Sequence, residues 1–119
     1  MNDLKVIIKA KELATYTVKT TSNCNHFPKK YRFSVVDKMQ NHALEIYENL
    51  VEANRQKFEN GNDARRELQT KAITKCDLLL YYIELALDLK IISNGRVEFW
   101  SGLVKDVKHM TLAWRKVTK

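Results

Sequence analysis

The chain has 119 residues, 45% hydrophobic and 29% charged, with a formal net charge of +7. That length supports one domain, residues 1–119, able to bury a core without disulfides or metals, and three glycines with one proline leave little turn chemistry for a many-stranded sheet. No apolar run approaches the roughly eighteen residues of a bilayer crossing, and Lys9 and Lys11 interrupt the stretch where a signal peptide needs an unbroken apolar core, so the expectation is no membrane and a cytoplasmic location.

The first helix is predicted from Leu4 to about Thr20, with Asp3 as N-cap or first-turn acid and a stripe of Leu4, Ile7, Ala10, Leu13, Ala14 and Thr17. Its end, TYTVKTTSN, is rich in β-branched residues that favour helix weakly. A polar linker, Thr21–His26, reverses the chain. Pro28 suits a turn or a first helical position, so a second helix is predicted from near Pro28–Phe33 through Phe58. Phe33, Val36, Met39, Ala43, Ile46, Leu50 and Ala53 recur at steps of three and four, which puts them on one side of a helix. The break is expected at Glu59-Asn60-Gly61-Asn62, with Gly61 left-handed and Asn62 or Asp63 capping the next helix.

The third helix is predicted from Asp63 to Lys90, striped by Leu68, Ala72, Ile73, Cys76, Leu79, Leu80, Ile83, Ala86 and Leu87. Its centre, LLLYYI, is apolar nearly all round. The excess at Leu78, Tyr81, Tyr82 and Leu85 therefore predicts a subunit interface. Asn94-Gly95 is expected to make a tight turn before a fourth helix, Arg96 to Val117, striped by Val97, Trp100, Leu103, Val104, Val107, Met110, Thr111 and Trp114. Gly102 would allow close approach of a neighbour. Short connections between four helices imply an all-α, antiparallel up-down-up-down four-helix bundle.

No catalytic motif is present: no phosphate-cradling glycine loop, H-E-x-x-H, nucleophile elbow or Glu-x-x-His pair. Cys24 and Cys76 are too few for a disulfide framework, and Cys24-Asn25-His26 has no second pair at zinc spacing. Cys76 reads as a small buried hydrophobe and His42 as a boundary histidine. The expectation is a non-enzyme with no cofactor and no metal. Charge is more informative. Residues 1–38 carry eight Lys/Arg against three acids and residues 90–119 seven against two, whereas residues 39–89 carry six against nine. If the first and last helices lie side by side, one flank is strongly basic and attracts polyanions. Lys29, Lys30 and Arg32, interleaved with Phe27 and Tyr31, are the sharpest cluster, because lysine and arginine neutralise phosphates while an aromatic ring stacks on an unpaired base. Arg115, Lys116 and Lys119 repeat it beside Trp114, and Lys5, Lys9, Lys105 and Lys108 widen the expected RNA or RNA–DNA surface. The alternative from another class is a structural or protein-interaction helical bundle with no catalytic role, whose basic surface meets an acidic protein.

The run FPKKYRF at residues 27–33, the amphipathic stretch ending Leu50-Val51-Glu52-Ala53, the closing Leu85-Ala86-Leu87-Asp88-Leu89-Lys90 and the late Trp114 resemble a group of bacterial four-helix-bundle proteins. The group includes proteins encoded by intervening sequences in ribosomal RNA genes and the accessory variability determinant proteins of diversity-generating retroelements. The sequence is more similar to the second branch. That resemblance implies a homopentamer with a basic surface that binds nucleic acid and the element's reverse transcriptase.

Overall fold

The computed structural model describes residues 3–56 and 61–119. Most of them lie in α1 (Asp3–Thr21), α2 (Asp37–Arg55), α3 (Asp63–Asp88) and α4 (Asn94–Val117). Each helix packs on the next in the chain and α4 returns against α1, closing an antiparallel up-down-up-down bundle with extents of 49 × 24 × 19 Å.

The spacing of buried residues explains the closure. They fall at Val6, Ala10, Leu13, Thr17 and Thr20 on α1, at Met39, Ala43, Ile46, Leu50 and Ala53 on α2, at Arg65, Gln69, Ala72, Cys76, Leu79, Ile83 and Ala86 on α3, and at Trp100, Val104, Val107, Thr111 and Trp114 on α4. Every helix alternates steps of three and four. That mean period near 3.5 keeps one seam facing its neighbours along the whole length, which is how knobs enter holes at shallow crossing angles. Fully burying one leucine or isoleucine in such a seam is worth about 1.5–3 kcal/mol. Truncating Leu79 or Ile83 to alanine would cost about 2–5 kcal/mol once the cavity is included.

Packing overrides weak local preference at the end of α1. Thr17, Thr20 and Thr21 are buried. The Thr21 hydroxyl donates to the Thr17 carbonyl at 2.7 Å, and Thr17 Oγ1 accepts the Trp100 indole N–H at 3.0 Å. The Thr17 hydroxyl thus serves a tertiary contact, and Thr21 Oγ1, besides its bond within the helix, serves another by accepting from Gln40 Nε2 at 2.8 Å. Beyond α1, Asn23 accepts from the Asn25, His26 and Phe27 amides. This turn drops Phe27, 2% exposed, edge-on against Trp100.

Five features differ from the sequence expectation. The second helix does not begin regularly: a 3₁₀ turn (Lys29–Tyr31) and a π turn (Arg32–Val36) precede α2. The Asp37 amide donates to the Arg32 carbonyl, five residues back. The wider turn rotates Phe33 off the stripe, leaving it 79% exposed while Val35 takes the inward place. Second, α2 ends at Arg55 and Gln56 is extended. The expected end at Phe58 and the break at Glu59-Asn60 lie outside the described residues, as do the side chains of Asp3 and Leu4; Gly61 has the left-handed φ of +81°. Third, Asn62 occupies the N-cap position of α3 without capping it, and its amide donates to the Lys119 carbonyl. Fourth, the turn into α4 is made at Lys90, not at Asn94-Gly95, which form the first turn of α4 behind the Ser93 cap. The Ile91 amide donates to Ala86 and the Lys90 amide to Leu87, both at 2.9 Å, with Lys90 left-handed at φ +62°. That is a Schellman stop with lysine where glycine is usual. Fifth, a side chain at Gly102 would point into open space, so no neighbour approaches it closely.

Candidate nucleic-acid interface

The antiparallel order decides where the basic residues lie. Trp100 bonded to Thr17, and Arg96 Nη1 donating to the Tyr16 hydroxyl at 2.9 Å, place the start of α4 beside the end of α1. Phe27 packs at this end and Lys29, Lys30 and Arg32 follow it directly. From there α4 runs 24 residues, or about 36 Å at 1.5 Å per residue, with Arg115 and Lys116 in its last turn. The two predicted clusters therefore sit at opposite ends of the bundle and not on one continuous flank.

At the far end, α3 and the C-terminal residues build a basic groove. Arg65, only 9% exposed, lies over the Trp114 ring at 5.8 Å. Its Nε donates to the Ala53 carbonyl at 3.0 Å, which the Gln56 amide also reaches at 3.3 Å, and its Nη2 to the Gln56 carbonyl at 2.8 Å, so one guanidinium ties down the end of α2. Gln69 Nε2 donates to the Thr118 hydroxyl at 3.1 Å, and that hydroxyl donates to the Trp114 carbonyl at 2.9 Å. These bonds dock residues 118 and 119 against α3. Arg66, Leu112, Arg115, Lys116, Thr118 and Lys119 then line one open groove. Arg66 holds Asp63 at 3.7 Å, an exposed pair on its own helix. The sequence pattern alone did not single out Arg65, Gln69 or Arg66. The signal was there: counting back from Ala72 by three and four lands on Gln69 and Arg65, and Arg66 is the outward member of the doublet.

The remaining predicted cations are spread along the bundle. Lys5 is exposed near the start of α1; Lys9 is 3.6 Å from Glu12, both partly exposed. Lys105 is exposed on α4, whereas Lys108 reaches Asp77 of α3 at 2.7 Å and so borders the α3–α4 seam. At the near end, Lys29, Lys30 and Arg32 are exposed and, among the described residues, join no carboxylate; the Lys30 ammonium lies 5.2 Å from the Tyr31 ring centre.

Of the four residues expected at a subunit interface, two are exposed on this chain and two pack on its own core. Leu78 and Tyr81 are 38% and 55% exposed, but Tyr82 and Leu85 are half-buried against the core. Tyr82 packs between Tyr81 and His42, with ring centres 5.2 Å and 5.6 Å away. His42 Nδ1 is buried with no hydrogen-bond partner among the described residues. Burial, then the positive field of Lys75, push its pKa below the ordinary 6.5; Glu45 pulls the other way and Lys38 again downward. Burial pushes the Cys76 thiol up to about 12, aided by Asp77 and opposed by Lys108. Among the described residues no cluster of His, Cys, Asp and Glu could hold a metal ion, and no helix is long and apolar enough to cross a membrane.

Fold and surface together define an all-α antiparallel four-helix bundle with a basic cluster at each end. No protein-family model matches the chain, and no curated protein matches it in sequence. Among solved structures, it is similar to a protein of unknown function from the S23 ribosomal protein family of Bacteroides thetaiotaomicron. The two share 16% identity at a TM-score of 0.87, covering 98% of this chain and 100% of that one. At that identity the likeness is one of fold.

Proposed function

We propose that this chain is a non-enzymatic RNA-binding bundle. The single observation that carries the reading is the far-end groove, where Arg66 from α3 joins Arg115, Lys116 and Lys119. Four cations brought together from two helices and a docked tail suit the phosphates of a structured polyanion. None of them is a base-reading motif, so binding is weakly sequence-specific. The family of the similar structure, a ribosomal protein family, supports RNA as the polyanion. The sequence resemblance to retroelement accessory proteins extends the reading to RNA–DNA, to a reverse transcriptase as partner and to a homopentamer, with exposed Leu78 and Tyr81 offered to a second copy.

The experiment is fluorescence anisotropy of a labelled RNA hairpin against the wild type and Arg115→Glu/Lys116→Glu. Both side chains are exposed, so the helix content by circular dichroism should be unchanged. Loss of at least tenfold in affinity supports the groove as the RNA site. Equal binding by the two proteins removes it.

A further inference from the structure

The near end carries a different device. Phe33 is 79% exposed, the most exposed of the large apolar side chains among the described residues. It is held outward by a π turn, a departure from helix geometry that costs hydrogen-bond quality and recurs at functional positions. Lys29, Lys30 and Arg32 directly precede it in the chain and leave their charges unpaired by any carboxylate among the described residues. Lys29 and Arg32 line a cleft of about 220 Å³ together with Thr21, Ser22, Asp37 and Gln40. Gln40 Nε2 donates to Thr21 Oγ1 at 2.8 Å, which ties the π-turn side of the cleft to the end of α1.

We infer that this end is a binding site for an unpaired nucleotide, in which Phe33 stacks on the base and Lys29, Lys30 and Arg32 hold the flanking phosphates. The inference rests on the RNA-binding reading and deepens it. The charge selects an anionic partner, and the free ring selects one with an accessible flat face. A base within a duplex is covered on both faces by its neighbours, so a single strand or loop is the form that fits. The separation of the two ends then assigns different work to each: the far-end groove takes backbone phosphates, and the near end takes a base out of the stack.

The test uses anisotropy with a labelled uridine oligomer of about twelve nucleotides and with an RNA duplex of similar length, long enough for one such site. Phe33 lies on the surface, so Phe33→Ala, Phe33→Leu and Phe33→Trp should all fold. Alanine and leucine are expected to weaken single-strand binding about tenfold, a typical loss for one stacked base, while tryptophan retains it and duplex affinity is unmoved in all three. Wild-type affinity of Phe33→Ala for the single strand would overturn the inference and leave the RNA-binding reading intact. So would a Phe33→Leu variant as good as wild type, since leucine keeps the apolar surface without the π face. A fall in oligomer mass by light scattering on Phe33→Ala would also overturn it, by placing a second copy on this ring. Failure of the wild type to bind either RNA would sink the RNA-binding reading and this inference together.

Discussion

Arg65 is the residue whose replacement should be felt most beyond its own size. It is almost wholly buried, its guanidinium spans the Ala53 and Gln56 carbonyls, and it lies over Trp114. Arg65→Met keeps the length of the stem and removes the charge and the donors. Two hydrogen bonds from a charged donor are worth about 1.5–3 kcal/mol each, and the contact with the indole about 1 kcal/mol. Against these stands the desolvation of the guanidinium, several kcal/mol that methionine no longer bears. The balance is a loss of about 3 kcal/mol, because the half-buried Gln56 carbonyl is left without a donor and the buried Ala53 carbonyl keeps only the Gln56 amide at 3.3 Å. Urea denaturation followed by circular dichroism at 222 nm should show the midpoint falling at constant slope. The corresponding drop in Tm is about 10 °C for a domain of this size. Arg65→Lys, which keeps the charge but cannot fork to both carbonyls, should lose about half as much. A loss below about 1 kcal/mol for methionine would refute the reasoning, showing that water or a shift of α2 satisfies those carbonyls as well as arginine does.

Lys90→Gly should stabilise the fold by about 1 kcal/mol, since the left-handed φ of +62° strains any side chain and glycine adopts it freely; an unchanged urea midpoint would show the strain absent. The neutral form of His42 is favoured in the fold, so the unfolded chain takes up the proton first as pH falls below 6.5. Stability should be fully present above that pH and decline as pH falls through the lowered folded value, and the slope should flatten in His42→Asn; parallel pH profiles for the two proteins would refute this. Cys24 is exposed and Cys76 is buried with its pKa near 12, so one thiol per chain should react promptly with a disulfide reagent at neutral pH. The second should react only on unfolding, and two fast thiols would contradict the packing of α3.

How far the sequence carried depends on which side chains mark the seam. On α2, α3 and α4 the three-four spacing of Met39–Ala53, Ala72–Ala86 and Trp100–Trp114 is written, Thr111 apart, in apolar residues and reads directly as helix faces. The same seam continues through Gln69 and Arg65, where polar identity hides an inward position; the Thr118 hydroxyl for Gln69, and the partner carbonyls and the Trp114 ring for Arg65, explain why they are inside. Phe33 fits the stripe by counting, but counting assumes one residue pitch throughout, and the π turn at Arg32–Val36 changes it. Lys90 could not be read as the turn because it bears strain that Asn94-Gly95 would have avoided. The basic residues were legible one by one. Their division between two ends was already implied by an up-down order, since Lys29 comes after the end of the first helix and Arg115 lies at the end of the fourth. That tertiary docking brings Thr118 into the far-end groove beside Arg66 was not legible.

The central claim is that this bundle neutralises several RNA phosphates at once. The measurement that tests it most directly is the affinity for a structured RNA at two salt concentrations. With about four phosphates of a double-helical RNA contacted, counterion release predicts affinity falling about 150-fold between roughly 50 and 200 mM monovalent salt. Sub-micromolar binding at the lower salt with that steep loss is the expected result. No binding at low salt, or binding indifferent to salt, would contradict it and turn attention to an acidic protein as the partner of the basic ends.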